Sequence, residues 1–161
     1  IQALLAASPL ATPRRAVVGW DGARLAMVIA VLEARCGLAL AGNDVYLNVA
    51  GGLRINEPAA DLAVAAALVS SLSGLPVPDD LVVFGEIGLS GEIRAVSQTE
   101  QRLKEAAKLG FSAALTPPRR GRRAADPDSL RVREIAHLQD LVELLAGSAT
   151  IRPRAGQPAR R

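Results

Sequence analysis

The sequence predicts an α/β fold, an α+β two-layer sandwich of helices on a mixed sheet. Three observations carry the prediction. Helix-like and strand-like stretches alternate along the chain, one helix is apolar all round and needs neighbours to bury it, and a glycine-bounded hairpin lies among them. The 161 residues are 50% apolar and 22% charged, with a mean hydropathy of +0.23. That is enough for one core, too little for two ordinary domains, and unlike a disordered chain. The longest apolar candidate for a membrane span, residues 59–72, is broken by Asp61 and ends among serines, short of the roughly 18 uninterrupted residues a span requires. The chain opens on Ile1 with no charged leader or small-residue cleavage site, so it reads as a piece of a longer protein and not as a secreted precursor.

Residues 1–13 hold two prolines and no clear period, which reads as a linker or docked arm. Residues 14–20 form a short strand. Asp21 then offers an N-cap to a helix whose Leu25, Val28, Ile29, Leu32 and Cys36 make one apolar stripe, with Gly37 as the stop. Arg24 and Arg35 lie off that stripe. Residues 45–49 alternate as a half-buried strand, Gly51-Gly52 breaks it, and residues 53–55 are expected to resume it. In Asn56-Glu57-Pro58-Ala59-Ala60-Asp61, Asn56 or Glu57 can cap, Pro58 suits the first helical turn, and Asp61 adds charge near the positive end of the dipole. The following helix, to about Ser73, is the one apolar on every side.

Residues 82–88 and 92–96 read as the two arms of a hairpin, with Gly85, Gly88 and Gly91 there for backbone fit. Residues 98–109 read as a helix with Leu103, Ala106 and Ala107 inward, and residues 113–116 as a strand. Residues 130–135 suit an edge strand, and residues 138–145 a last amphipathic helix. The expected organisation is an arm over 1–13, a folded domain over 14–150 and a basic flexible tail over 151–161.

Charge is unevenly spread. Residues 1–118 carry seven Arg and two Lys against five Asp and six Glu, a net −2, whereas residues 119–161 carry ten Arg against three Asp and two Glu, a net +5. The pI near 9.7 therefore belongs to the C-terminal quarter. Its Arg119-Arg120-Gly121-Arg122-Arg123 run suits either phosphate contact or a solvated loop. Cys36 has no second cysteine to pair with, and Cys36 with His137 makes no metal constellation, so both read as structural and an intracellular setting is favoured. There is no P-loop and no dinucleotide fingerprint, so no cofactor is expected in this domain. Trp20, Tyr46, Phe84 and Phe111 are the only aromatics, which leaves almost no material for platforms on which single-stranded nucleic acid could stack. Glu86 and Glu92 read as a solvated hairpin face and not an acid/base pair.

The run Asp44-Val45-Tyr46-Leu47-Asn48-Val49, the Gly-Gly, the 57–63 helix start, the Phe84-Gly85-Glu86-Ile87 to Gly91-Glu92-Ile93-Arg94 hairpin and Glu105-Ala106-Ala107-Lys108-Leu109-Gly110-Phe111 occur in one order. Together with Val17-Val18-Gly19-Trp20-Asp21, they resemble the Lon-protease-like C-terminal domain of the bacterial RadA (Sms) DNA-repair family. The resemblance covers about residues 1–118 and leaves 119–161 as a lineage-dependent extension. It implies a fold like ribosomal protein S5 domain 2 and the Lon proteolytic domain.

Lon cleaves peptides with a Ser-Lys dyad in which the lysine takes the serine's proton. Matching residues 56–61 and counting onward from the hairpin puts Ala59 at the nucleophile and Glu100 at the lysine. A methyl cannot attack a carbonyl, so the resemblance implies a non-catalytic pseudo-protease. Ser97 with Lys104 is conceivable on sequence distance, but serines near helix ends are ordinarily caps.

The resemblance further implies a hexameric, cytoplasmic ATPase whose ATP, Mg and Zn belong to domains outside this chain. Such a protein would process recombination intermediates by branch migration, with duplex or branched DNA as partner and RecA as a further one. Within the chain, Arg15, Arg24, Arg54 and Arg94 stand at element ends and are the expected phosphate contacts, sequence-nonspecific because no reading helix is recognisable. Two alternatives stand beside this: surface or inter-subunit salt bridges with Glu33, Asp44 or Glu92, and a purely oligomerising or partner-docking domain without DNA contact.

Overall fold

A computed structural model of the chain describes residues 1–119, 121 and 125–146. The tail expected over 151–161, and most of the arginine-rich loop, lie outside the described residues. The elements in chain order are β1 (Gln2–Ala7), β2 (Arg15–Val18), α1 (Gly22–Cys36), β3 (Asn43–Asn48), α2 (Asp61–Ser73), β4 (Leu81–Val83), β5 (Glu86–Ile87), β6 (Ile93–Arg94), α3 (Thr99–Lys108), β7 (Ala113–Thr116), β8 (Arg131–Glu134) and α4 (Leu138–Ala146).

The class is α/β with a mixed sheet, as expected, but the strands divide among three sheets. In the first, β3 pairs antiparallel with β1 and parallel with β2. In the second, β7 pairs parallel with both β4 and β8, and β5 with β6 makes the expected hairpin. Helix α2 is the hub, touching β1, β4, β5, α1 and α4. Leu62, Val64, Ala65, Leu68 and Val69 are buried around it, which is why it carries no polar face. Helix α1 starts where the Asp21 carboxylate accepts the Arg24 N–H at 2.7 Å, and it ends at Gly37 in the left-handed conformation.

Four local expectations are corrected. Residues 1–13 supply strand β1, whose Ala3 and Leu5 face the core. Its alternation is hidden in the sequence because the outward Leu4 and Ala6 are apolar too. Residues 53–55 do not resume a strand. Gly51 and Gly52, both at positive φ, turn the chain, and the Ile55 N–H donates to the Gly19 carbonyl at 2.8 Å. The arm over 82–88 is broken at Gly85, whose N–H donates to the Ala59 carbonyl at 2.8 Å and whose carbonyl accepts from Leu62 at 3.1 Å. Those two bonds lead the chain out of one sheet into the hairpin. A Cβ on Gly85 would meet Ile93 Cγ2 at 2.8 Å, so only glycine fits this crossing. Finally, Pro58 opens a 3-10 turn over Pro58–Ala60 with no side-chain cap from Glu57, and α2 begins only at Asp61.

Candidate functional site

Asp61 organises one end of the molecule. Its side chain is 0% exposed, and it accepts Arg24 Nε at 2.5 Å, Arg24 Nη2 at 2.7 Å and the Ile87 N–H at 3.1 Å. A buried carboxylate without such partners would be prohibitively costly, so the fork joins α1, α2 and β5 at a single point. The Arg24 pKa is raised above its ordinary value, first by the hydrogen bond to Asp61, and Glu86 lies 4.0 Å from Nη2. The sequence held part of the signal: one carboxylate in a helix apolar on all sides requires a cation, but which of Arg24, Arg35 and Arg54 supplies it is decided by the fold.

Arg24 also bridges two surface cavities. One, of about 500 Å³, is lined by Trp20, Asp21, Met27, Ile55 and Asn56 besides Arg24. The other, of about 380 Å³, lies between Arg24, Met27, Glu86, Leu89, Glu92 and Arg94. Arg24 and Arg94 thus share one rim, whereas Arg54 lines neither cavity, although its chain neighbour Ile55 lines the first. Arg54 is exposed and has no ion pair among the described residues. Arg15 does not join them. It lies at the opposite end of β2, where its guanidinium donates to the Asn43 and Arg14 carbonyls.

Arg94 is engaged by Glu92, its Nε at 2.9 Å and its Nη2 at 2.5 Å from Oε1, one of the salt bridges anticipated from sequence. The Ser90 hydroxyl donates to the other Glu92 oxygen. Ser90 first, then the Glu92 backbone N–H and Arg94, hold the Glu92 pKa down to about 2 from an ordinary 4.5. A depressed carboxylate keeps its bonds from neutral pH downward and loses them only as pH falls through its folded value. A carboxyl NMR titration should therefore give Glu92 a midpoint near 2, and Ser90→Ala should raise it towards 4.5. A wild-type midpoint already near 4.5 would contradict this arrangement.

Ala59 is buried in the turn before α2, clustered with Phe84, Leu103 and Ala106. Glu100 is exposed in the first turn of α3, one turn before Leu103, the α3 residue that packs with Ala59. Near them, Arg102 pairs with Glu57 at 3.3 Å and lies 6.0 Å from the Phe84 ring centroid. No hydrogen bond joins Ser97 to Lys104 among the described residues; the Ser97 carbonyl accepts Arg102 Nε instead. Glu86 and Glu92 are each tied to a different arginine. No group of acidic, histidine and cysteine side chains that could hold a metal ion occurs among the described residues, and none of their helices is long and apolar enough to cross a membrane. Cys36 is half-buried, and its burial pushes the thiol pKa up, away from reactivity. Sequence reasoning passed over Arg14, Arg131 and Arg133, all exposed and without ion pairs among the described residues; only their surroundings in the fold distinguish them from paired arginines.

Residues 22–120 match the family model described as Subunit ChlI of Mg-chelatase. Among curated proteins, the chain is 62% identical over 148 residues to the DNA repair protein RadA of Brucella abortus (strain 2308), covering 92% of this chain and 32% of that protein. It is 50% identical over 152 residues to RadA of Rickettsia bellii (strain RML369-C), again covering 92% and 32%. It is 46% identical over 145 residues to RadA of Aquifex aeolicus (strain VF5), covering 90% and 32%. The chain spans about a third of the length of these relatives. With the ChlI model matched across α1 to β7 and identities of this order over nine-tenths of its length, the chain belongs to the ChlI domain family, in the form carried by the RadA DNA-repair proteins.

Proposed function

We propose that this domain is a non-catalytic, sequence-nonspecific DNA-binding module and ring scaffold of a RadA-type recombination factor that processes branched intermediates. The observation that carries the proposal is the shared rim, where Arg24 and Arg94 line one cavity; the exposed Arg54 adjoins Ile55, which lines the next. Its chemistry is that of phosphate contact: guanidinium groups at element ends, no reading helix beside them and few aromatics. Arg15, at the far end of β2, adds a contact about 10 Å or more away along the strand, which suits a ligand that spans the sheet. Ala59 and Glu100 cannot perform Ser-Lys chemistry, so the domain acts by binding and not by peptide cleavage. In the whole protein, nucleotide and metal chemistry would belong to other domains, assembly would be hexameric, RecA would be a further partner, and the setting would be cytoplasmic.

Titration of this chain against labelled duplex DNA by fluorescence anisotropy, across a salt series, tests the reading. Four neutralised phosphates give a log-log slope of about −3.6. A chain ending after Thr150 should keep most of that slope. If binding is absent, or disappears with the tail, the folded body is a scaffold and the rim arginines are not contacts.

A further inference from the structure

Among the described residues, the outer face of the β1-β3-β2 sheet is left open except at its Asp44 end. The core covers the side bearing Ala3, Leu5, Val17, Val45 and Leu47, and strand alternation turns Gln2, Leu4, Ala6, Ala16, Val18, Asp44, Tyr46 and Asn48 the other way, where all but Asp44 are exposed. A solvated sheet face is ordinarily polar and charged. None of the exposed residues among them carries a charge, in a chain where 22% of residues do; the one charged group on this face is the buried Asp44. Leu4 is 59% and Val18 58% exposed, and the Asn48 amide donates to the Gln2 amide oxygen at 3.2 Å.

Tyr46 stands in the middle of this face, on the central strand and 37% exposed. Its cross-strand neighbours are Leu4 on one side and the small Ala16 on the other, which leaves that flank of the ring open. The two ends of the face are cationic. Arg14 immediately precedes β2, and Arg54 sits where the 53–55 segment crosses Gly19 just beyond Val18. Neither has an ion pair among the described residues. Asp44, at the Arg14 end, is buried, and its carboxylate accepts the Arg14 N–H at 2.7 Å.

Size separates the possible occupants. Three strands at their usual spacing and six residues of rise make a face of about 15 by 20 Å, or roughly 300 Å². A stable protein interface needs about 800 Å² on each partner. A platform whose exposed residues are uncharged, with one exposed aromatic and a guanidinium at each end, has instead the parts that hold a single polynucleotide strand: a ring for stacking, apolar flanks for sugar edges and guanidinium groups for phosphates.

We propose that this face holds single-stranded nucleic acid, with one base stacked on Tyr46 and the backbone running between Arg14 and Arg54. The proposal rests on the DNA-binding reading above and adds a single-stranded ligand class to the duplex contacts of the rim. It is tested with this chain, a labelled oligothymidine and a duplex of the same length, by anisotropy at one salt concentration. Tyr46→Leu keeps an apolar strand residue and should weaken oligothymidine binding about tenfold while leaving duplex binding unchanged. Tyr46→Phe keeps the ring and should bind as the wild type. Circular dichroism and urea unfolding of both variants establish that they fold.

Oligothymidine binding equal in Tyr46→Leu and the wild type overturns the proposal. So does a Tyr46→Leu variant whose only change is lost self-association in sedimentation, which would make the face a protein interface. Duplex binding without any oligothymidine binding removes this inference alone, and binding to neither removes the DNA-binding reading with it.

Discussion

Arg24→Ala should destabilise the domain by about 3–5 kcal/mol, on the order of 10 °C in Tm. The cost arises at the partner. Arg24 is 30% exposed in its side chain and could lose its neighbours cheaply, but Asp61 is 0% exposed and would keep only the Ile87 N–H. An unpaired buried carboxylate is among the most destabilising single changes a core can suffer. Arg24→Lys retains charge without the two-pronged fork and should fall between wild type and alanine. Adding Asp61→Asn to Arg24→Ala removes the stranded charge and should recover part of the loss. Urea unfolding of these four proteins together with Asp61→Asn alone measures the cycle, and an Arg24→Ala variant within 1 kcal/mol of wild type would show that Asp61 has another way to be satisfied. The same result bears on function: weakened DNA binding by Arg24→Ala counts as a contact effect only under conditions where the variant is fully folded.

Gly19→Ala should cost about 2–4 kcal/mol, from left-handed strain and overpacking together. Gly19 has φ +79°, and a Cβ there would lie 2.7 Å from Val49 Cβ and closer still to the Leu53 carbonyl. Backbone cannot swing aside as the end of a long side chain can. Gly37→Ala is the control. It has a similar φ of +68° but nothing within 4 Å of the new methyl, so only the conformational strain of about 1 kcal/mol remains. The difference between the two variants, read from urea midpoints, isolates the close approach of the 49–55 segment to β2. Equal losses would mean that the segment gives way without cost. Because the same approach places Arg54, Gly19→Ala should also weaken nucleic-acid binding more than Gly37→Ala does.

What could be read from the sequence was whatever has a local cause. Asp21 and Gly37 bound α1 because capping involves only neighbouring backbone, and the all-apolar α2 was buried because no solvent-facing side chain interrupts it. The hairpin glycines followed from the same local logic; at Gly88 a side chain would collide with the Glu92 carboxylate. The misreadings are non-local. Strand β1 owes its existence to pairing with β3, more than thirty residues on, and its QALLAA run shows no period because its uncovered face is as apolar as its covered one. The break at Gly85 depends on bonds to Ala59 and Leu62 from another element.

For the candidate site, residue type was legible and grouping was not. Arg24 and Arg94 line one cavity and Arg54 lines neither of the two, while Arg15 sits at the other end of the sheet because β2 separates it from α1. Asp61 appeared in the sequence as a dipole charge and proved to be the anchor of Arg24. Tyr46 was counted among aromatics too few to form platforms. Its place on an open face whose exposed residues are uncharged, between unpaired arginines, is set by the β1-β3-β2 register, which a single sequence does not spell out.

The central claim, that the folded body grips DNA through phosphate contacts, is tested most directly by the salt dependence of duplex binding in an Arg15→Gln, Arg54→Gln, Arg94→Gln triple variant. Arg24 is left in place to protect the fold. Loss of three phosphate contacts should flatten the log-log slope from about −3.6 to about −0.9 and weaken binding on every duplex sequence alike. A slope unchanged by the triple substitution would contradict the claim and assign whatever binding is observed to the basic C-terminal quarter.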